Sequence, residues 1–307
     1  MELKISCSVV LFWIALFCSS DAIAQNHIAL SRVGKHATQT YKIDVKEKAS
    51  HSVTGEQASS FRVKENGPGK YEVELAPSQK KGFYSATLEI DQAGKKHIYK
   101  LHGVATEKFE GSNEPSLYKI FQAIGVKADL GGDRHKYSTK SDKVGSSLNI
   151  DNFRVAKGAE QVSVTLVARY SPKGAPEIGF AINGEETLTP IGNLADKSKT
   201  VPDAHQRILP AAKKGTASFQ GEPNFKIPAD KCPEKFGFYY KGKHYTSLTS
   251  AGKSKKAKIR HTSRVFKVEN FLGRSLKNAY LICYEEATNG DYQDAVILVE
   301  GIEPVQP

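Results

Sequence analysis

Beyond its first two dozen residues this chain alternates apolar and polar side chains with a period of two, in segment after segment, and that pattern excludes most folds. In KYEVEL (70–75) Tyr71, Val73 and Leu75 share one face, and in YSATLEI (84–90) Tyr84, Ala86, Leu88 and Ile90 do the same. Successive side chains of an extended strand point to opposite sides, so each segment reads as a strand with one buried face. The stretches APSQKKG (76–82) and QAGKK (92–96) supply the Pro and Gly of turns between them. The pattern returns in EQVSVTLVARY, which aligns Val162, Val164, Leu166, Ala168 and Tyr170, and continues through EIGFAI, KFGFYY, SRVFKV, NAYLICYE and DAVILVEGI. Short strands at this spacing predict a sandwich rather than a parallel α/β sheet. Ala295 to Val299 is apolar at every position, which predicts a central strand covered on both faces.

One segment breaks the period. In EGSNEPSLYKIFQAIGVKADLGG (110–132) Leu117, Ile120, Phe121 and Ile124 fall at helical spacing. Ser112 or Asn113 is placed to cap this helix, Pro115 to sit in its first turn, and Gly125 to end it. The expected architecture is therefore all-β, with two β-sandwich domains, immunoglobulin-like or jelly-roll-like, over 25–107 and 136–307, joined by a short helical segment at 108–135. Between Asn183 and Pro223 the runs TPIGNLADKSKTVPDAHQ and PAAKKG predict long loops.

The first residues, MELKISCSVVLFWIALFCSSDAIAQ, place Lys4 ahead of an apolar stretch from Val9 to Phe17 and small residues at Ala22 and Ala24. This order predicts a signal peptide over 1–24, cut after Ala24. The apolar stretch is short of the roughly 20 residues a spanning helix needs, and bulky Phe17 before Cys18 argues against lipidation. A secreted or cell-surface product follows, with the periplasm as the other destination and no membrane span. Removing the leader takes Cys7 and Cys18 and leaves Cys232 and Cys283 in an oxidising compartment, where they either pair or stay apart, Cys283 as a buried thiol in step with Leu281. The formal charge of +11 favours contact with anionic glycans, lipopolysaccharide, an acidic matrix or stray nucleic acid, with no specific nucleic-acid partner expected. Its densest run, KSKKAKIRH (253–261), reads equally as a solvated loop, and it lacks the interleaved aromatics of a single-strand nucleic-acid groove.

Chemistry concentrates in YEEATNGDYQDAVILVEGIEP (284–304). Calcium takes six to eight oxygens from carboxylates, amides and backbone carbonyls, and Glu286, Asn289, Asp291 and Asp294 offer four candidate side chains within nine residues. Gly290 would let the loop turn them inward. The alternative is a plain type I′ hairpin in which Asn289 and Gly290 take positive φ and the two aspartates cap the turn and face water. The spacing is not that of an EF-hand. Glu285 and Glu286, adjacent on a strand, point to opposite faces and cannot form a glycosidase pair with each other. No His-Glu-x-x-His, Gly-x-Ser-x-Gly or Cys-x-x-Cys occurs, and SLTSAGKS has Ser247 where a phosphate loop needs its first Gly. A zinc site from Cys232, Cys283, His244 and His261 would need four distant residues to converge. Phe238, Tyr240 and Tyr245 are dense enough to present flat faces to a sugar, although alternation sends part of such a run to the core.

Two resemblances accompany these readings. HSVTGEQASSFRV, YEVELAPSQKKGFYSATLEI and HIYKLHGVAT, within about 28–106, resemble a Hydin-type (ASH) immunoglobulin-like domain. That resemblance implies a sandwich used as a spacer or docking module, without catalytic residues. PEIGFAI, FGFYYKGKHYTSL and the closing stretch to NGDYQDAVILVEGIEP resemble an uncharacterised bacterial C-terminal β module taken as calcium-binding, although the lysine run and Ala295 depart from its pattern. The expectation is a secreted non-catalytic surface or matrix protein with a structural calcium site, partnered by an extracellular polysaccharide or surface protein. The alternative is a carbohydrate-binding protein that recognises an anionic or extracellular polysaccharide.

Overall fold

The computed structural model describes residues 26–34, 40–46, 49–77, 80–108, 111–194, 205–208 and 225–305. The predicted signal peptide and much of the loop region predicted between Asn183 and Pro223 lie outside them; within that region Thr187–Asn193 form a strand paired with Glu177–Ile182 instead of a loop. The described residues are built mainly of strands: β1 (Asn26–Val33), β2 (Thr40–Asp44), β3 (Ser50–Thr54), β4 (Phe61–Glu65), β5 (Lys70–Leu75), β6 (Gly82–Gln92) and β7 (Lys95–Thr106) come before α1 (Leu117–Ala123), the one α-helix among the described residues. After it come β8 (Phe153–Val155), β9 (Gln161–Tyr170), β10 (Glu177–Ile182), β11 (Thr187–Asn193), β12 (Gln206–Ile208) and β13 (Phe225–Pro228). The remaining strands are β14 (Gly237–Lys241), β15 (Thr246–Leu248), β16 (Ser263–Phe271), β17 (Arg274–Tyr284), β18 (Ala295–Glu300) and β19 (Ile302–Pro304).

The first seven strands form two sheets, ordered β1-β7-β6-β3 and β2-β5-β4. Tyr71, Val73 and Leu75 from one sheet and Ala86, Leu88 and Ile90 from the other turn into a shared core, so the period-two pattern does the sorting of faces. Pairing is antiparallel except at β1, which runs parallel to β7 over eight positions, from Asn26 opposite Tyr99 to Val33 opposite Thr106.

In the second half a sheet ordered β12-β9-β18-β17-β16, with β13 also on β9, packs against a sheet ordered β11-β10-β14-β15. Val162, Val164, Phe180, Phe238, Ile282, Ile297 and Val299 fill the space between them. The far face of the larger sheet is buried too: Phe266, Leu281, Cys283, Val296 and Leu298 meet Leu117, Ile120, Phe121 and Ile124 of α1, with Ala29 and Val104 of the first sandwich in the same cluster. Strand β18 thus buries alternate residues on both sides, as its unbroken apolar run predicts.

The helix is shorter than its sequence suggests. It begins at Leu117, where the Ser116 hydroxyl accepts from the Lys119 amide, and Gly111–Asn113 form a separate 3-10 turn. Pro115 therefore precedes the cap instead of lying in the first turn. Gly125, at φ +69°, ends the helix in a conformation that other residues adopt only with strain.

Of the two alternatives for the cysteines, pairing is the one the structure does not show. Cys232 and Cys283 are both free thiols. Cys283 lies on the face of the larger sheet toward α1, whereas Cys232 packs against the core on the other face, so a whole layer of strands separates them. Burial pushes the Cys232 thiol up to about 11 and raises that of Cys283 as well, so neither is a ready nucleophile or metal ligand.

Candidate metal centre

Ten residues, 285–294, connect β17 to β18, and they do not make the solvated type I′ hairpin. Asn289 stays outside the positive-φ region, while Gly290 at +78° and Tyr292 at +56° enter it. A two-residue turn would need both of its central residues there. The loop instead folds onto the α1 side of the sheet. Tyr292 is buried in that core, and its hydroxyl donates to the His261 carbonyl at 2.9 Å. Arg264 stacks over the Tyr292 ring with its guanidinium carbon 5.3 Å from the centroid, and donates to the carbonyls of Ser138 and Ser141 at 2.5 and 2.8 Å. The Tyr137 amide donates to the Gly290 carbonyl at 2.7 Å, and a Cβ on Gly290 would stand 2.5 Å from the Tyr137 oxygen. Such contacts hold a bulky residue like Tyr292 in a left-handed conformation it would otherwise avoid.

Folded this way, the loop gathers carboxylates. Oxygens of Glu285, Asp291 and Asp294 lie within 4.8 Å of one another. Glu285 is wholly buried and Asp294 is 8% exposed, so neither faces water. The Glu285 carboxylate accepts from the amides of Ala287, Gly290 and Asp291 at 2.8, 2.8 and 2.9 Å. An oxygen of Asp294 accepts from the Glu286 amide at 2.7 Å. Glu114, from the segment before α1, stands behind the loop and accepts from Gln293 and Gln206, both at 2.9 Å.

Of the four residues singled out in the sequence, the structure brings together Asp291 and Asp294. Asn289 is exposed, with its amide nitrogen donating to Asp291 at 2.6 Å and its oxygen accepting from the Asp291 amide at 3.3 Å, so it orients that side chain. Glu286 points to the other side of the sheet, where it accepts from the Tyr240 hydroxyl at 2.8 Å. Its place is taken by Glu285, which sequence reasoning passed over. The signal was available in strand parity, since Glu285 is in step with Cys283 and Leu281 on the α1 face.

Like charges this close cannot all ionise cheaply away from water. Burial, then the charges of Glu285 and Glu114, push the Asp291 carboxyl up to about 8. Asp294 is raised by burial and then by Glu285, Asp291 and Glu286. Burial also raises Glu285, against the lowering effect of the loop amides it accepts from. Meanwhile Asp291 Oδ1 and Gln293 Oε1 are buried acceptors with no donor. Gln293 Nε2 lies 3.4 Å from Asp291 Oδ2, which puts the unsatisfied amide oxygen beside the cluster. Buried polar atoms normally find partners, so lone acceptors beside raised carboxylates make a cluster that could hold a cation. The donors are all oxygens, which suits a hard ion, and their spacing lies within the roughly 5 Å that separates opposite ligands around calcium.

The aromatic run does not form a sugar platform. Phe238 and Tyr240 are 1% and 0% exposed, inside the core between the sheets, where the Tyr240 ring stacks on Tyr284 at 5.5 Å. Tyr245 is buried as well, and its hydroxyl donates to the Ala287 carbonyl. Strand β14 buries both of its faces because Tyr239 on the outer side packs with Ala181 and Leu248. The lysine run is exposed from Lys255 to Lys258 apart from Ala257 and ends in an ion pair between Arg260 and Asp142 at 2.8 Å. No helix among the described residues is long and apolar enough to cross a membrane. No protein-family model matches the chain, and no curated protein matches it.

Proposed function

We propose that loop 285–294 holds one divalent cation, calcium by its donor chemistry, and that the protein is an exported, non-catalytic surface or matrix component whose C-terminal sheets this ion stiffens. The observation that carries the reading is the convergence of Glu285, Asp291 and Asp294 within 4.8 Å, with Glu285 and Asp294 buried. Magnesium demands a near-ideal octahedron at shorter distances and keeps its waters, whereas calcium accepts an irregular set of many oxygens. Asp291 Oδ1 and Gln293 Oε1 are available to extend that set. Once bound, the ion supplies positive charge that lets the carboxylates ionise together; Glu285, Asp291 and Asp294 bind it, Asn289 orients Asp291, and Glu114 holds Gln293. The seven-strand first sandwich serves as the spacer or docking module in this reading.

Calorimetric titration of chelator-stripped protein with calcium chloride tests it. One equivalent per chain is expected, and Asp291→Asn/Asp294→Asn is expected to show none. No saturable heat, or equal binding by the double variant, would remove the site.

A further inference from the structure

On the opposite face of the sheet from the acidic loop lies a cleft of about 290 Å³ between the 172–176 turn and the 241–243 turn. Its chemical lining is Arg169, Lys173, Tyr240, Lys241, Lys243 and Glu286. At the floor, Glu286 is 3% exposed; one carboxylate oxygen accepts from Tyr240 and the other, Oε1, has no donor. Gly242 is pressed so tightly on this floor that a Cβ there would stand 2.2 Å from Glu286 Oε2. Arg169, 1% exposed, donates to the Ser171 hydroxyl at 2.8 Å and to the carbonyls of Pro172 and Gly174 at 3.0 Å, and so sets the shape of one wall. The rim carries three exposed ammonium groups, on Lys173, Lys241 and Lys243.

We propose that this cleft binds an acidic sugar, one of whose hydroxyls donates to Glu286 Oε1 while its carboxylate meets the rim lysines. Each part of the ligand answers a feature of the lining. An unsatisfied buried acceptor calls for a donor. A plain anion such as sulfate offers none and is repelled by the Glu286 carboxylate. An amine would satisfy Glu286 but would sit among four cationic side chains, Arg169 and the three lysines. A neutral hydroxyl and a carboxylate on one rigid ring avoid both penalties, and the volume is that of a small polar ligand, near the lower end of ordinary binding pockets. The Glu286 carboxylate belongs to this cleft, and its hydrogen bond to the acidic cluster is made by its backbone amide, which donates to Asp294.

The test titrates isotope-labelled full-length mature protein with sodium glucuronate and with a glucuronate-containing oligosaccharide, following backbone amide resonances. Saturable shifts centred on 173–175 and 241–243 are expected, with the oligosaccharide binding at least as well if the natural source is a polymer. Glucose, sodium sulfate and glycine are expected to bind about tenfold more weakly or worse, the scale of one lost charge contact or hydrogen bond. Lys173→Ala/Lys241→Ala/Lys243→Ala changes only exposed side chains and is expected to melt like the parent while losing about tenfold or more in affinity. A triple alanine variant at Lys253, Lys255 and Lys256 carries the same change of net charge and is expected to bind as the parent does. Equal binding of sulfate and glucuronate, binding of glycine in preference to glucuronate, equal loss in the two triple variants, or no saturable shift with either sugar would each overturn the proposal.

Discussion

Excess calcium is expected to raise the melting temperature of the protein by about 8–16 °C over chelator-treated protein near pH 7.5. A ligand at about a thousand times its dissociation constant stabilises the folded state by about 4 kcal/mol, and each kcal/mol moves the midpoint of a chain this size by about 2–4 °C. The effect depends on Glu285, Asp291 and Asp294 acting together, because these are the carboxylates whose oxygens converge. Asp291→Asn/Asp294→Asn is expected to abolish the shift while melting, in chelator, no lower than the parent. Two amides in place of two crowded carboxyls keep the shape of the loop and remove its repulsion. Scanning calorimetry of both proteins with calcium and with chelator decides the matter. A parent that melts at one temperature in both conditions would leave the loop a closed acidic hairpin without an ion.

In chelator, stability is expected to fall as pH rises from about 6.5 to about 8, opposite to the usual behaviour of a protein rich in paired carboxylates. The folded Asp291 carboxyl titrates near 8 and its ordinary value is 3.8, so through this window the folded state holds a proton that the unfolded chain has lost. Stability then decreases with pH, by up to about 1.4 kcal/mol per unit for one full proton, and the contribution is gone above the folded value. Asp294 and Glu285 are raised as well and act in the same direction. Below about 6.5 the sign is mixed, because His102 is pushed down to about 4 by burial, by His27 and by Lys100, and its contribution is lost as pH falls. With calcium bound, the carboxylates are ionised and binding releases protons, so the curve should flatten or reverse. Urea unfolding at several pH values reads this directly, and a chelated protein whose stability holds level or climbs between 6.5 and 8 contradicts the raised carboxyls.

The period-two pattern made most of the fold legible, since burial on one face is a property of each strand by itself. The unbroken run from Ala295 to Val299 even disclosed that β18 would be covered twice. What local pattern could not disclose is the direction in which a connection folds once its strand has ended. Loop 285–294 turns toward α1 because Tyr292 is drawn into that core, and this choice puts Asp291 and Asp294 beside Glu285 and leaves Glu286 on the other face. Glu114, some 180 residues earlier in the chain, reaches the same place only through tertiary packing. The two cysteines failed to pair for a related reason: each sits comfortably on a face, but they are different faces. The aromatic run of β14 looked available for a ligand because alternation predicts one exposed row, and a second small cluster around Tyr239 covers that row.

The parallel pairing of β1 with β7 has a mechanical side. If a tether pulls on the chain at Asn26 and at Thr106, the load enters at opposite ends of this strand pair, whose partners run from Asn26 opposite Tyr99 to Val33 opposite Thr106. Force along such a pair strains all of its backbone hydrogen bonds at once, whereas an antiparallel hairpin pulled at its open end would unzip them singly. The first sandwich is thus wired as a shear clamp between those two positions. Pulling single molecules between those two positions should show one abrupt rupture of the sandwich, and gradual low-force peeling would disprove the clamp.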